Sequence, residues 1–490
     1  MDISLFILLF LLSNLNRMQN CHKHEKTLGL VITDGVGYRN FVLSDFLPQA
    51  KQQFDRIVIF SGLPRNVYQQ ERDSRIEVVE LPIFIEPFKS WFWRKAKEVA
   101  HLQAHKENFG INDNLKANKI KSNSSHGIAT RFIYGITNKF HKEDFILFLE
   151  AMQHRSIESN RVTKWCFDSL DKFSPDLLLF THQRPPNLLP IFLAAKSKGI
   201  KTGAFIFSWD NLASKGRMAA TFDFYLVWSG LMKKDLLYFY PKVNKNKVEV
   251  VGTPQFEPYV MEEYTMNRTE FYSKFELENG RKTIYYSCGD ISTSRNDELY
   301  IESIATAIEQ KEIFYPVNLL VRTSPAEDPD RFRFLKDKFP FIKWNYPEWK
   351  VSRKNHPEAW SQRVPSRQDL TDLRAILEYT DLNINMCSTM SLDFMLFEKP
   401  VINPVFGNEH NGLYNDQRFL NYAHYKEVVE SGAVRIAKNK KELVKAINFY
   451  LDNPKADSQE REKLLELQIG KPLKRTSERI AKTLKKLVNS

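Results

Sequence analysis

Residues 381–406 read DLNINMCSTMSLDFMLFEKPVINPVF. Leu382–Met386 alternates as a strand does and stops at Cys387-Ser388-Thr389. Serine and threonine are favourable helix N-caps, and Met390, Leu392, Phe394, Met395 and Phe397 supply an apolar face, so a helix is predicted from Ser388 onward. Glu398-Lys399-Pro400 ends it, since proline lacks the N–H that a helix interior needs, and Val401-Ile402 opens a second buried strand. Strand, polar loop, helix, strand is a βαβ unit, and such units build parallel sheets.

The predicted helix start brings free backbone N–H groups and a positive dipole end beside the hydroxyls of Ser388, Thr389 and Ser391, a setting that suits a diphosphate. Asp393, one turn in, is placed to accept hydrogen bonds from ribose hydroxyls. The same residues also serve as ordinary caps, so the choice rests on the rest of the chain.

Working outward, the pattern repeats. In the second half Lys282–Ser287 runs into Cys288-Gly289-Asp290, followed by a helix from Asp297 and a strand Val317–Arg322 that ends at Thr323-Ser324-Pro325. A strand at Phe341–Trp344, a basic loop Trp349–Arg367 and a helix Asp369–Glu378 then lead back to the opening unit. In the first half, predicted strands at Leu28–Thr33, Arg56–Phe60, Ile76–Leu81, Asp176–Thr181, Thr202–Phe207, Phe222–Trp228 and Val248–Val251 alternate with helical patterns. Gly35-x-Gly37 is short of a full GxGxxG, which leaves a turn pair as the simpler reading. The strand ends nevertheless carry Asp34, His182 and Asp210, and in a parallel sheet such ends lie on one rim, where open α/β sheets bind ligands.

The expected fold is therefore α/β, with two Rossmann-like, doubly wound domains facing across a cleft. Its parts are an apolar N-terminal segment (1–26), a first domain (27–256), a second domain (257–476) and an amphipathic C-terminal helix (477–490), with a hinge near Thr253–Tyr259. The polar stretch from Asn108 to Ser125 reads as a loop. Trp91, Phe92 and Trp93 beside Arg94, Lys95 and Lys97 belong either to a helix packed on the domain or to a membrane-touching face.

A net charge of +12 and a pI near 9.2 favour anionic partners. No zinc-finger spacing, aromatic RNA-binding signature or arginine-rich arm is present, so no nucleic-acid partner is expected. Cys21, Cys166, Cys288 and Cys387 are far apart and form no CxxC, as in a reducing cytoplasm. The apolar run at residues 3–12 is too short to span a bilayer as a straight helix, and Asp2 stands where a signal peptide carries a base; it reads as an anchor, a signal-like segment or a mis-called start, with Met18 the true one.

This layout resembles the GT-B glycosyltransferase fold. The second half is similar to bacterial CDP-glycerol glycerophosphotransferases in Ser388-Thr389, Asp393, Lys399-Pro400 and Asp369. Leu319–Pro325 is similar to the Arg-x-His-Pro segment of those enzymes and of sugar 2-epimerases sharing the fold, with Arg322 in place and Ser324 where their histidine stands. Phe207–Gly216, FSWDNLASKG, looks like a segment of surface-carbohydrate glycosyltransferases.

The resemblance implies a nucleotide-diphosphate sugar held by the second domain and a glycan or lipid-linked acceptor held by the first, in the cytoplasm or at the inner face of the membrane. Ser287, Gly289, Asp290, Arg322, Ser388 and Thr389 would stabilise the leaving diphosphate without a metal or other cofactor, and Asp393 would hold the ribose. An inverting transferase also needs a base on the facing rim, for which Asp210, His182 and Asp34 are the candidates. A polyol-phosphate transferase using a CDP donor, and a nucleotide-sugar-binding or assembly protein without turnover, remain alternatives.

Overall fold

The computed structural model describes residues 25–489 apart from 72 and 121; the apolar run at 3–12 and Cys21 lie outside them. The first domain holds β1 (Thr27–Ile32), β2 (Arg56–Ser61), β3 (Ile76–Glu80), β4 (Leu177–Phe180), β5 (Lys201–Phe205), β6 (Phe224–Val227) and β7 (Val248–Val250). They form one parallel sheet in the order β3-β2-β1-β4-β5-β6-β7. β1 and β4 are buried along their whole length, as strands covered by helices on both faces must be, which is why they read as continuous apolar runs.

The second domain repeats the plan with β8 (Lys282–Ser287), β9 (Val317–Arg322), β10 (Lys343–Asn345), the hairpin strands β11 (Trp349–Val351) and β12 (Arg363–Pro365), β13 (Leu382–Asn385), β14 (Val401–Pro404) and β15 (Arg435–Ala437). Its parallel sheet runs β10-β9-β8-β13-β14-β15. In each sheet the strand order reverses beside the first strand, between β1 and β4 and between β8 and β13. These are the two places where an open sheet leaves a crevice at its carboxyl edge.

The C-terminal helix, Thr476–Asn489, returns to the first domain. Ile480 and Leu484 are fully buried, Lys201 Nζ donates to the Leu487 carbonyl at 3.0 Å, and Ser477 N–H donates to Glu257 at 2.9 Å. The hinge segment Pro254–Val260 is likewise tied to both halves, because the Tyr259 hydroxyl receives Arg39 at 3.4 Å and donates to Asp393.

The basic loop is ordered as an antiparallel hairpin that reaches over to the first domain. Arg353 pairs with Glu80 and Arg367 with Glu71, each at 2.6 Å. A Cβ on Gly35 would overlap the carbonyl oxygen of Arg363, so this glycine is what lets the hairpin backbone lie against the turn after β1. Gly35→Ala is expected to unseat the hairpin at a cost of about 1–3 kcal/mol. Chemical denaturation would show the lost stability and small-angle scattering a larger radius of gyration; unchanged values in both would refute the contact.

One expectation needs correction. The stretch from Asn108 to Ser125 is not a loop throughout, since Phe109–Ala117 is helical. Asn114 donates to the Ser214 carbonyl at 2.7 Å, and Asp113 pairs with Arg418 at 2.9 Å, so docking overrides the weak local propensity of an Asn-rich segment. The cluster at residues 91–97 belongs to helix Phe88–Ala104, the packed-helix alternative: Lys97 is buried beside Glu150, and Arg94 binds Glu86 and Glu98.

Candidate active site in the interdomain cleft

The first rim is built where β1 and β4 end. Asp34 caps helix Gly35–Phe41: its Oδ1 accepts from the backbone N–H groups of Val36 at 3.1 Å and Gly37 at 2.9 Å. Its Oδ2 accepts from Thr33 Oγ1 at 2.8 Å and faces Nδ1 of His182 at 3.0 Å. Burial alone would raise the Asp34 pKa, but the hydrogen bond and charge of His182, with the Gly37 N–H and Thr33, outweigh it and hold the carboxyl below its ordinary value.

An ionised Asp34 fixes the tautomer of its neighbour. The carboxylate calls for a proton on Nδ1 of His182, which in the neutral imidazole leaves the lone pair on Nε2. The ring lies flat on Phe207, with centroids 3.9 Å apart, and meets the edge of Trp360 from the second domain at 6.2 Å. Asp34 and His182 are thus one unit, whereas their distant positions in the chain offered them as separate candidates.

Asp210 stands on the same rim, in the turn after β5, and does a different job. Burial would raise its pKa, yet Lys215 (3.5 Å from Oδ2), His424 and the Ser208 and Asn211 side chains bring it down to about 2. A carboxylate of that acidity is a poor proton acceptor at neutral pH. Its neighbour Trp209 crosses the cleft: Nε1 donates to Thr389 Oγ1 at 3.1 Å, and the indole edge packs on His424 and Tyr425. The two loops of this rim are joined by Gln183, which donates to Asn211 at 3.1 Å and accepts from the Phe207 N–H at 3.1 Å.

The facing rim is built where β8 and β13 end. Ser287 closes β8, and its buried Oγ has no partner among the described residues. Ser388 and Thr389 follow β13 after Cys387, which adopts a left-handed φ of 47°. The helix begins at Met390 with Thr389 as its cap and ends at Met395, so it is shorter than expected and contributes little dipole.

What holds this loop is a buried polar layer. Asn385 Oδ1 accepts from Ser388 N–H at 2.8 Å, Asn385 Nδ2 reaches Asn383 at 2.5 Å, Asn403 Nδ2 donates to the Asn385 carbonyl at 2.8 Å, and Tyr425 donates to Asn403 at 2.7 Å. Each amide thus has partners, which a buried polar group requires and which fixes the loop in one geometry.

Four expectations are redirected. Arg322 ends β9 but its guanidinium is committed: Nη2 binds both oxygens of Asp369 at 2.8 and 2.9 Å, and Nη1 binds Asn345. Asp369 also accepts from Glu348 N–H and Trp349 Nε1, each at 2.9 Å, so the pair pins the base of the hairpin. Burial would lower the Arg322 pKa, and Asp369 more than offsets it and keeps the charge.

Asp393 is buried against Tyr259 rather than open to a ribose, and burial raises its pKa to about 6 against the pull of Tyr259 and Arg39. Gly289 is needed by its own loop, since a Cβ there would stand 2.7 Å from Cβ of Ser294. Asp290 caps the same turn through the Ser292 N–H at 2.9 Å. Ser287, Ser388 and Thr389 are the expected donor residues that stay on the rim; the Ser388 and Thr389 hydroxyls accept from the Met390 N–H at 3.2 Å and Trp209 Nε1 at 3.1 Å and keep their own protons to donate. Trp209, Trp360, His424 and the asparagine layer belong to the cleft without having been singled out. Trp209 lay in Phe207–Gly216, Trp360 in the basic loop and the asparagines in the opening stretch, whereas His424 lay outside every stretch whose pattern drew notice.

No protein-family model and no curated protein matches the sequence. Solved structures do match over nearly the whole chain. A glycosyltransferase from Rickettsia africae superposes with a TM-score of 0.52 at 13% identity, covering 95% of this chain and 99% of its own. A Listeria monocytogenes protein assigned as a UDP-N-acetylglucosamine 2-epimerase gives 0.53 at 10%, covering 95% and 97%. Another UDP-N-acetylglucosamine 2-epimerase gives 0.50 at 11%, covering 94% and 95%. With two Rossmann-like parallel sheets meeting across a cleft, the chain has the GT-B fold.

Proposed function

We propose that the protein is a glycosyltransferase that moves a sugar from a nucleotide-diphosphate donor to a hydroxyl of a glycan or lipid-linked acceptor. The observation that carries this reading is the Asp34–His182 pair, built at the switch point of one sheet on a rim whose Trp209 bonds across the cleft to Thr389 in the loop after β13. The fold neighbours named as a glycosyltransferase and as UDP-N-acetylglucosamine epimerases support a nucleotide-sugar donor.

In this reading the acceptor O–H gives its proton to His182 Nε2 as the oxygen attacks the anomeric carbon. The bond from that carbon to the diphosphate breaks, and the nucleoside diphosphate leaves with the bonding electrons. The hydroxyls of Ser287, Ser388 and Thr389 receive the charge that develops on the diphosphate, so no metal ion is required. Asp34 stabilises the imidazolium that forms. A single displacement of this kind inverts the anomeric configuration.

Thermal unfolding of the full chain with UDP, GDP, CDP, CMP and their sugar or polyol conjugates tests the donor class. A ligand at a hundredfold excess over its Kd stabilises the folded state by about 2.7 kcal/mol. A raised midpoint with UDP or GDP species that is weakened by Ser388→Ala supports the proposal. A response confined to CDP-polyols would transfer it to polyol-phosphate transfer, and no response to any nucleotide would overturn it. Binding without turnover across acceptors would mark a sugar-nucleotide-binding protein.

A further inference from the structure

The first domain carries an apolar strip open to solvent. Helix Ser125–Thr137 is its spine. At the start of this helix His126 packs on Trp91, with ring centroids 4.2 Å apart, and on Phe88 at 5.2 Å. Ile128 and Phe132, one turn apart, are 57% and 60% exposed. Past its end, Phe140 packs on Phe145 at 5.9 Å and Phe145 on Phe148 at 6.0 Å, with Phe140 and Phe148 both more than half exposed. Large apolar side chains standing in water along this helix and the segment after it mark an interaction face rather than a packed one.

The helix and its approach carry one sign of charge: residues 114–142 include Lys116, Lys119, Arg131, Lys139 and Lys142 and no aspartate or glutamate, and the acids that follow, Glu143 and Asp144, are paired with Arg217 at 2.6 Å and Lys242 at 3.1 Å. The strip also adjoins the cleft. Tyr134 donates to the Leu115 carbonyl at 2.6 Å, tying the spine to helix Phe109–Ala117, and that helix meets the second domain through Asp113 and Arg418.

We propose that this strip docks on the surface of an anionic phospholipid bilayer, with Phe132, Phe140 and their neighbours in the headgroup–acyl boundary and the lysines on the lipid phosphates. A second copy of this chain is a poor occupant, because pairing the strip with itself brings like charges together. A protein surface of mixed sign would leave much of the basic rim unmatched. A bilayer supplies both an apolar layer and a uniform negative plane. Docking there turns the cleft toward acceptors held in the membrane, though the surface is distinct from the donor rims and stands without the transfer reading.

Co-sedimentation of the full chain with vesicles is the test. Phosphatidylcholine vesicles containing phosphatidylglycerol are expected to bind it, and phosphatidylcholine vesicles at least about tenfold less. Phe132→Glu/Phe140→Glu is expected to lower binding about tenfold or more, since each apolar side chain withdrawn from water contributes on that scale. Lys139→Glu/Lys142→Glu, which spares the aromatics, should weaken binding to the anionic vesicles alone. Both variants should keep the wild-type thermal midpoint. Binding that persists unchanged in both variants would place the anchor elsewhere in the chain, the run at residues 3–12 included, and would overturn the proposal. So would wild type that ignores anionic vesicles, or wild-type dimers in sedimentation equilibrium that Phe132→Glu/Phe140→Glu dissociates.

Discussion

His182→Ala is expected to lower kcat by about 10²–10⁴-fold, the usual contribution of a positioned general base, with nucleotide binding unchanged. The separation follows from geometry: His182 stands on the first rim and the donor residues on the second, so removing the imidazole leaves the diphosphate site whole. Asp34→Asn should cost on the same scale for a different reason. The oxygen of the introduced amide can still accept from Val36 and Gly37, so the cap survives, but its nitrogen would point N–H groups at His182 Nδ1 and turn the ring to the tautomer with Nε2 protonated. The double variant should then fall little below either single one, because the two residues act as a unit.

The same substitution carries a stability signature. The Asp34 pKa is lowered on folding, so its contribution is complete above the ordinary value of 3.8 and is lost as pH falls through the lower folded value. Stability of Asp34→Asn should fall less steeply in that acid range, measured by urea denaturation across pH. Additive losses of activity in the double variant would break the pairing assignment.

Arg322→Met is expected to destabilise the protein by about 3–5 kcal/mol, because it leaves the Asp369 carboxylate buried without its counter-charge. The carboxylate keeps its bonds to Glu348 N–H and Trp349 Nε1, which are too few to balance a full charge out of water. Arg322→Met/Asp369→Leu should recover most of the loss, as replacing both members of a buried pair commonly does. Denaturant titration distinguishes this from a donor-binding arginine. In the latter case Arg322→Met would leave stability near wild type and weaken nucleotide binding instead.

Much of the architecture was legible because parallel strands buried on both faces announce themselves. LGLVI and DLLLF read as covered strands, and their polar ends placed Asp34 and His182 on one rim. Their pairing was not legible, since 148 residues separate the two and no local spacing encodes a contact across β1 and β4.

LNIN was legible as a strand, but not its polar layer: Asn383 and Asn385 are fully buried, Asn385 donates to Asn383 and Ser391, and Asn403 donates to the Asn385 carbonyl. Arg322 and Asp393 sit where strand-end logic puts ligand-binding residues, but tertiary partners 47 and 134 residues away claim their side chains. Gly35 was read as a turn residue, and the need for it comes from a hairpin more than three hundred residues later.

The most direct measurement is of the transfer itself. Wild type and His182→Ala are incubated with nucleotide-diphosphate sugars and glycan or lipid-linked acceptors, and products are identified by mass spectrometry. The account predicts glycosylated acceptor and an equal amount of nucleoside diphosphate from wild type, with inverted anomeric configuration, and His182→Ala that binds the donor but forms product about 10²–10⁴-fold more slowly. An epimerised nucleotide sugar with no acceptor product, or transfer at the wild-type rate by His182→Ala, would contradict it.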